Sequence, residues 1–324
     1  MKEGKLSVEE LRSIVFSNIK SFNKEVLVGS DIGEDCAVLD FGDYACIMST
    51  DPITGAEKGA GALAVHISCN DVASNGIKPI ALLITIMVPV SYTEEGVSRI
   101  MKEACEAAAE LEVDIIGGHT EVTSAVNRPV ISTTAIGKVL KSKMVKTAAA
   151  AAGDDLIMTK LAGLEGTAII ASDREYELRQ VLSDEELNTA KGFYKSISVV
   201  KEGVLAGEFG VNSMHDVTEG GILGAAWEVA ECAGLGLELY LDEVEVHPVT
   251  RKICMHYNIN PYRLISSGCM LITTERGDEL VKLLEKNGIY ARIIGKMTAE
   301  GRYICQNGNS YELEPPDVDE LFKL

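Results

Sequence analysis

Basic residues are scarce in this chain. Thirty Lys and Arg stand against 49 Asp and Glu, leaving a formal net charge of −19 over 324 residues. That balance argues against a broad nucleic-acid surface, because phosphate binding needs clustered Lys and Arg. An acidic chain can still hold a nucleotide when metal ions bridge its carboxylates to the phosphates. Aromatic residues make up only 5%, with a single Trp. Long apolar runs are missing. The longest, Ile80 to Val90, is broken by Thr85 and Pro89 and is too short to span a bilayer, so no membrane partner is expected. The polar, charged N-terminus does not resemble a secretory signal. None of the cysteines (36, 46, 69, 105, 232, 254, 269, 305) form a CxxC pair, which removes that kind of zinc site. A reduced, cytoplasmic protein is the expectation. GxxxxGK[ST], GxSxG and HExxH are absent, as is a kinase-type motif set. Gly59, Gly61 and Ala64 fit GxGxxA, but no strand leads directly into them, so they read as helix packing.

What is present is glycine, 30 residues in clusters, and a series of acidic turns. Gly29 to Pro52 holds two of them, around Asp35 and Asp51. Between them Ala37–Asp40 and Tyr44–Met48 read as a hairpin turning at Phe41-Gly42-Asp43, with both carboxylates at one end. Ser7 to Glu10 is a capping box that opens a helix to about Lys20. Glu57 to Asn75 has a helical pattern of very small residues interrupted by the polar island Ser68-Cys69-Asn70-Asp71. Ile80 to Val88 reads as a buried strand. Thr93 caps a helix to about Leu111. Val113 to Ile116 is a short strand running into a turn, Gly117-Gly118-His119-Thr120. Lys141 to Gly153 is a connector, which divides the chain into domains 1–145 and 146–324. Beyond it Met214 to Gly221 reads as a loop feeding a helix, and the acidic tail as frayed. The mixture of strands, helices and hairpins predicts an α/β fold whose sheets are not purely parallel.

Five polar turns carry the chemistry: Glu34/Asp35, Asp51, Asn70/Asp71, His119/Glu121 and Asp216/Glu219. Each alone is an ordinary turn or helix cap. Hard oxygen ligands from several separate turns suit Mg²⁺, which takes one or two carboxylates and keeps waters. In His215-Asp216-Val217-Thr218-Glu219-Gly220-Gly221 the free amides of a helix start face two carboxylates, and such amides attract anions. The simpler alternative is that Asp216 or Thr218 caps the helix.

The chain resembles the AIR synthase superfamily, and within it the HypE-like hydrogenase maturation branch. The resemblance rests on GEDCAVL (33–39), STDP (49–52), HISCNDVASNGIKPIALL (66–83), DIIGGHTEV (114–122), AGDDLIMTK (152–160), MHDVTEGGILGAAWEVAE (214–231), SSGCMLIT (266–273) and IIGKM (293–297), in the family's order. It implies a PurM-like two-domain fold. An N-terminal domain would pair with its twin in a homodimeric β-barrel, and a sandwich-like α/β domain would follow. It also implies ATP and Mg²⁺ between the domains, with Asp35, Asp51, Asp71 and Asp216 as metal ligands. Gly33, Gly117, Gly118, Gly220 and Gly221 would lie at the nucleotide, beside Asp35, Asp51 and Asp71. His119, Asp216 and Glu219 are the candidate catalytic residues. His119 stands where the family's GGDT or GGET turn has an acid. The family's terminal Cys, which carries the group to be dehydrated in HypE proteins, has no counterpart in Glu320-Leu321-Phe322-Lys323-Leu324.

Three readings follow. The first is an ATP- and Mg²⁺-dependent enzyme that phosphorylates an amide-type or other oxygen of a small-molecule or protein-borne acceptor. The second is a small-molecule kinase like thiamine-monophosphate kinase. The third is a nucleotide-binding homodimeric maturation or scaffold protein without turnover.

Overall fold

The structure is a computed structural model and describes residues 4–54, 56 and 59–324. The capping box is present: Glu10 N–H donates to Ser7 Oγ (3.2 Å) and Ser7 N–H to Glu10 Oε2 (3.0 Å). It opens α1 (Val8–Glu10), which runs on through wider and then tighter turns to Asn18.

The first half contains β1 (Val26–Val28), β2 (Ala37–Phe41), β3 (Tyr44–Ile53), α2 (Ala60–Ala73), β4 (Ala81–Val88), α3 (Glu94–Leu111), β5 (Asp114–Val122) and β6 (Val130–Leu140). Its sheet runs β1-β2-β3-β6-β4-β5, and only the β4–β5 pair is parallel. The expected hairpin is β2–β3. The start of the expected helix, Glu57, lies outside the described residues. In β6 the residues Ile131, Thr133, Ala135, Gly137 and Val139 are buried, alternating with more accessible neighbours. Period-two alternation of this kind turns one face to a core and leaves the other open. The covered face lies under α2, nearly all of which is buried. Small residues permit that depth: a Cβ on Gly61 would stand 2.1 Å from the Ile100 carbonyl oxygen of α3.

The second half contains β7 (Asp155–Thr159), α4 (Leu164–Asp173), α5 (Glu175–Leu178), α6 (Asp184–Gly192), α7 (Val200–Phe209), β8 (Ser213–Asp216), α8 (Gly221–Ala233), β9 (Gly236–Tyr240), α9 (Pro248–Tyr257), β10 (Met270–Thr274), α10 (Gly277–Lys286), β11 (Ala291–Thr298), β12 (Arg302–Gln306) and β13 (Asn309–Glu312). Its sheet runs β13-β12-β9-β11-β7-β10-β8, antiparallel except for β9–β12. The fold is thus α/β with two mixed sheets in two domains. Among the described residues, neither sheet of the single chain closes into a barrel.

Three expectations need correction. Gly117 to Thr120 is no turn but the middle of β5, paired with β4 from Leu83 to Ile86. Gly118 is glycine because the strands approach closely there: its φ is +147° and a Cβ would meet the Ile84 carbonyl oxygen at 1.8 Å. Met214 to Asp216 belongs to β8, paired with β10, so the loop begins only at Val217. The tail is not frayed. Asp319 and Glu320 are buried, and Leu321 and Leu324 pack against a cluster that includes Ile170, Leu178 and Ile253.

The halves are joined through α2. Asn70 donates from Nδ2 to the Ile197 carbonyl (2.9 Å) and accepts at Oδ1 from Val199 N–H (2.8 Å). Lys160 donates to the Ser198 carbonyl (2.5 Å) and pairs with buried Glu202 at 2.7 Å, holding the same segment from the other side. Asn70→Ala would leave a buried N–H and a buried C=O without partners. It should lower the unfolding free energy by about 2–4 kcal/mol, read by urea denaturation. A change below about 0.5 kcal/mol would contradict this account of the joint.

Candidate functional site

Ala37 pairs with Met48 in the hairpin. Asp35, two residues before Ala37, and Asp51, three beyond Met48, therefore stand at the same end of it. Ser49 links Asp51 to α2: its hydroxyl lies 2.5 Å from Asp71 Oδ2 and 3.3 Å from Asp51 Oδ2. Asp216 comes from the second domain, at the end of β8, and accepts from Ser74 Oγ at 3.5 Å. Four carboxylates from a loop, a strand end, a helix and a second sheet thus share one buried space between the domains.

Their proton affinities show the crowding. Burial, then the charges of Asp216 and Asp51, push the Asp71 carboxyl well above the usual range. Burial and the charge of Asp35 raise Asp216, against the opposing pull of His215. Desolvation and like charge both disfavour the ionised form. Beside the cluster, His215 Nδ1 stands 2.7 Å from Asp35 Oδ1, and its Nε2 lies 3.3 Å from Glu228 Oε2. Burial alone would lower the His215 pKa, but Asp35 and Glu228 outweigh it and raise it. Glu228, in α8, meets Lys5 Nζ at 3.8 Å. Burial would raise Glu228, yet His215 and Lys5 together lower it.

Two carboxylate oxygens in this space, Asp35 Oδ2 and Asp216 Oδ2, are buried without a hydrogen-bond partner. Orphaned hard oxygens suit a divalent cation such as Mg²⁺. Among the described residues no three His, Cys, Asp or Glu side chains form a ready-made cage.

The other expected site residues are placed as follows. Gly33 lies in the loop before β2, against the backbone of α8 at Glu228. Glu219 is half-buried in the turn before α8; burial raises its pKa, and Lys5 opposes the rise. Gly220 stands just ahead of α8, and its N–H donates to Asp319 Oδ2 at 2.7 Å. Neither Asp216 nor Thr218 caps the helix with its side chain, and the amide before it is taken by a residue of the tail. Gly221 has φ +60°, and a Cβ there would stand 2.6 Å from the Tyr262 carbonyl oxygen.

Gly117, Gly118 and His119 are not brought to the cluster within one chain. Asp51 pairs with Thr133, Thr133 with Ile84, and Ile84 with Gly118. Three strand spacings put Asp51 and Gly118 about 14 Å apart. His119, the next residue, projects from the opposite, open face, where its Nε2 lies 3.4 Å from Glu121 Oε2. Sequence reasoning missed Ser49, Ser74, Glu228, Lys5 and Asp319, and took His215 only as part of a motif. The placing of Ser49 two residues before Asp51, and of His215 next to Asp216, was the available signal.

The model of the AIR synthase related protein N-terminal domain matches residues 33–139, and that of the C-terminal domain matches 151–306. The chain belongs to the AIR synthase-related proteins, with a PurM-like two-domain architecture and a likeness to HypE-type proteins. It is 28% identical over 306 residues to a putative hydrogenase expression/formation protein of Methanocaldococcus jannaschii, covering 92% of this chain and 89% of that one. The structure of a HypE–HypF complex matches with a TM-score of 0.77 at 22% identity, over 95% of this chain and 99% of the other. A HypE structure in complex with ATP matches with a TM-score of 0.71 at 20% identity, over 99% and 98%. At those identities the two structures speak for the fold.

Two buried acids near the tail set a pH dependence. Burial, partly offset by Ser267, pushes Glu165 up to about 7. Burial, against three backbone N–H bonds, pushes Asp319 up to about 6. A carboxyl with a higher pKa folded than unfolded binds its proton more tightly when folded, so stability grows as pH falls. His215, also raised, has the same sign: its contribution is lost as pH rises. Without divalent cations the melting temperature should therefore climb as pH falls from about 7 to about 6, measured in EDTA. A flat or falling melting temperature through that window would refute the assignment.

Proposed function

We propose that this chain is an ATP- and Mg²⁺-dependent enzyme that phosphorylates an oxygen of its acceptor and so converts it into a leaving group. The observation that carries this reading is the meeting of Asp35, Asp51, Asp71 and Asp216 between the two domains, with Asp35 Oδ2 and Asp216 Oδ2 left without partners. The carboxyls of Asp71 and Asp216, raised by burial and by the charges of their neighbours, are stabilised in their ionised form once positive charge lies among the four. They would hold Mg²⁺ and, through it, the ATP phosphates; when bound, the metal supplies charge neutralisation for phosphoryl transfer. The chain's own part is then to position these oxygens and to exclude water, with Asp216 and Glu219 nearest the reacting groups. We place the domain boundary at 145/146.

A homodimer belongs to the proposal. The sheet face opposite α2 is open, and the edge strand β5 leaves Ile116 and Val122 more than half exposed, with Ile80 and Leu83 also exposed nearby. Edge strands and apolar faces of this kind ask for a cover. A second copy seated there is the arrangement in which Gly117, Gly118 and His119 take part in a nucleotide site. Within one chain they do not reach it. That same separation favours the scaffold reading as the second choice, with nucleotide binding but no turnover.

The decisive assay measures Mg·ATP binding by calorimetry and ADP release with candidate acceptors. Asp35→Asn combined with Asp51→Asn should reduce ADP release by more than about 100-fold while leaving the fold intact by circular dichroism. Unchanged ATP binding and turnover in the folded double variant would sink the proposal. Binding without turnover under every acceptor would turn the choice to the scaffold.

A further inference from the structure

His215 lies in β8 beside Asp216 and is buried. Each of its ring nitrogens faces a carboxylate from a different element. Nδ1 stands 2.7 Å from Asp35 Oδ1, in the loop before β2 of the other domain. Nε2 stands 3.3 Å from Glu228 Oε2, on α8. Glu228 is held in turn from the solvent side by Lys5 at 3.8 Å. The Nδ1 contact lies off the line of the ring N–H, so it holds Asp35 by charge at close range rather than as an aligned hydrogen bond.

The two oxygens of Asp35 are therefore unequal. Oδ1 is committed to His215, whereas Oδ2 is buried with no partner, as is Oδ2 of Asp216, the residue after His215. We propose that His215, steadied by Glu228, is the positioning residue that turns Asp35 so that it offers Oδ2 alone to a divalent cation. The proposal rests on the metal–nucleotide reading of the carboxylate cluster. Groups that hold a metal ligand in place without touching the metal change affinity by about 10–100-fold when removed. The chain Asp35–His215–Glu228–Lys5 joins the hairpin loop, β8, α8 and the N-terminal segment, so the segment preceding α1 is also tied to the ligand geometry.

The test uses the full-length protein with Mn²⁺ and a non-hydrolysable ATP analogue, reading free Mn²⁺ by electron paramagnetic resonance. The variants are His215→Gln, His215→Asn and Glu228→Gln, with Glu202→Gln as a control that disturbs a buried ion pair away from the cluster. Asn places an amide N–H near the ring's Nδ1 position, facing Asp35, whereas Gln reaches only toward Glu228. His215→Gln and Glu228→Gln should weaken Mn²⁺ binding by about 10–100-fold. His215→Asn should lose clearly less, and Glu202→Gln should lower the melting temperature without changing Mn²⁺ affinity. Wild-type Mn²⁺ affinity in folded His215→Gln and Glu228→Gln overturns the proposal. Equal losses in His215→Gln and His215→Asn that simply follow melting temperature overturn it too. If a His215 variant does not fold, the near-isosteric Glu228→Gln decides the matter alone. Absence of Mn²⁺ binding by the wild-type protein is a different result and counts against the metal–nucleotide reading itself.

Discussion

The crowding of four carboxylates, two of them buried and two half-buried, is the constraint that the rest of this molecule answers to. Asp35, Asp51, Asp71 and Asp216 come from four separate elements, and burial strengthens every interaction among them. A chain relieved of other restraints would let them part. They stay together because each backbone is fixed by something else. Asp71 rides on α2, which is buried almost throughout and tied by Asn70 to the segment before α7. Asp216 ends a strand paired residue by residue with β10. Asp35 is held by His215, so part of the negative charge is balanced by a group from the opposite domain.

The same architecture separates two kinds of surface on one sheet. Alternation along β6 and β4 sends Thr133 and Ile84 under α2 and sends Ser132 and Thr85 to the open side. The carboxylates belong to the covered side, where glycine and alanine let helices lie deep. The open side carries His119 and Glu121 of β5 and the exposed Leu83 of β4. A two-faced sheet therefore keeps the acidic cleft and the face available to a second copy apart, and period-two geometry alone enforces the division.

Much of this was legible in the sequence. The β2–β3 hairpin can be read from its Gly/Asp turns, and that reading alone brings Asp35 and Asp51 to one end. Asp71 and Asp216 stood out because each is an acid within a Ser-, Asn- or Gly-rich stretch. The rest was not legible for a physical reason: the deciding contacts span the whole chain. Glu228 lies on α8 with nothing nearby in sequence to mark it, and its role appears only when α8 crosses His215. The Gly117–His119 segment misled because glycine pairs usually signal turns, whereas here Gly118 makes room for the carbonyl of a parallel neighbour. The tail misled because its acidity outweighed the signal of Leu321 and Leu324, spaced among charged residues and able to dock.

That docked tail changes how the start of α8 must be understood. A helix N-terminus preceded by two carboxylates and opened by two glycines looks like a phosphate cradle. In the folded chain the Gly220 amide already has an anion, the Asp319 carboxylate, supplied from 99 residues away. Gly221 is glycine for a different reason, the passage of the Tyr262 and Leu264 carbonyls. Phosphate contact at this amide therefore requires Asp319 to withdraw; burial, with a smaller contribution from Glu219, has already raised its pKa to about 6. The carboxylate cluster differs, since Asp35 Oδ2 and Asp216 Oδ2, one from each domain, are buried without a hydrogen-bond partner. Of these two features, the carboxylate cluster is assembled by the fold, and the amide ahead of α8 is occupied by Asp319 of the tail.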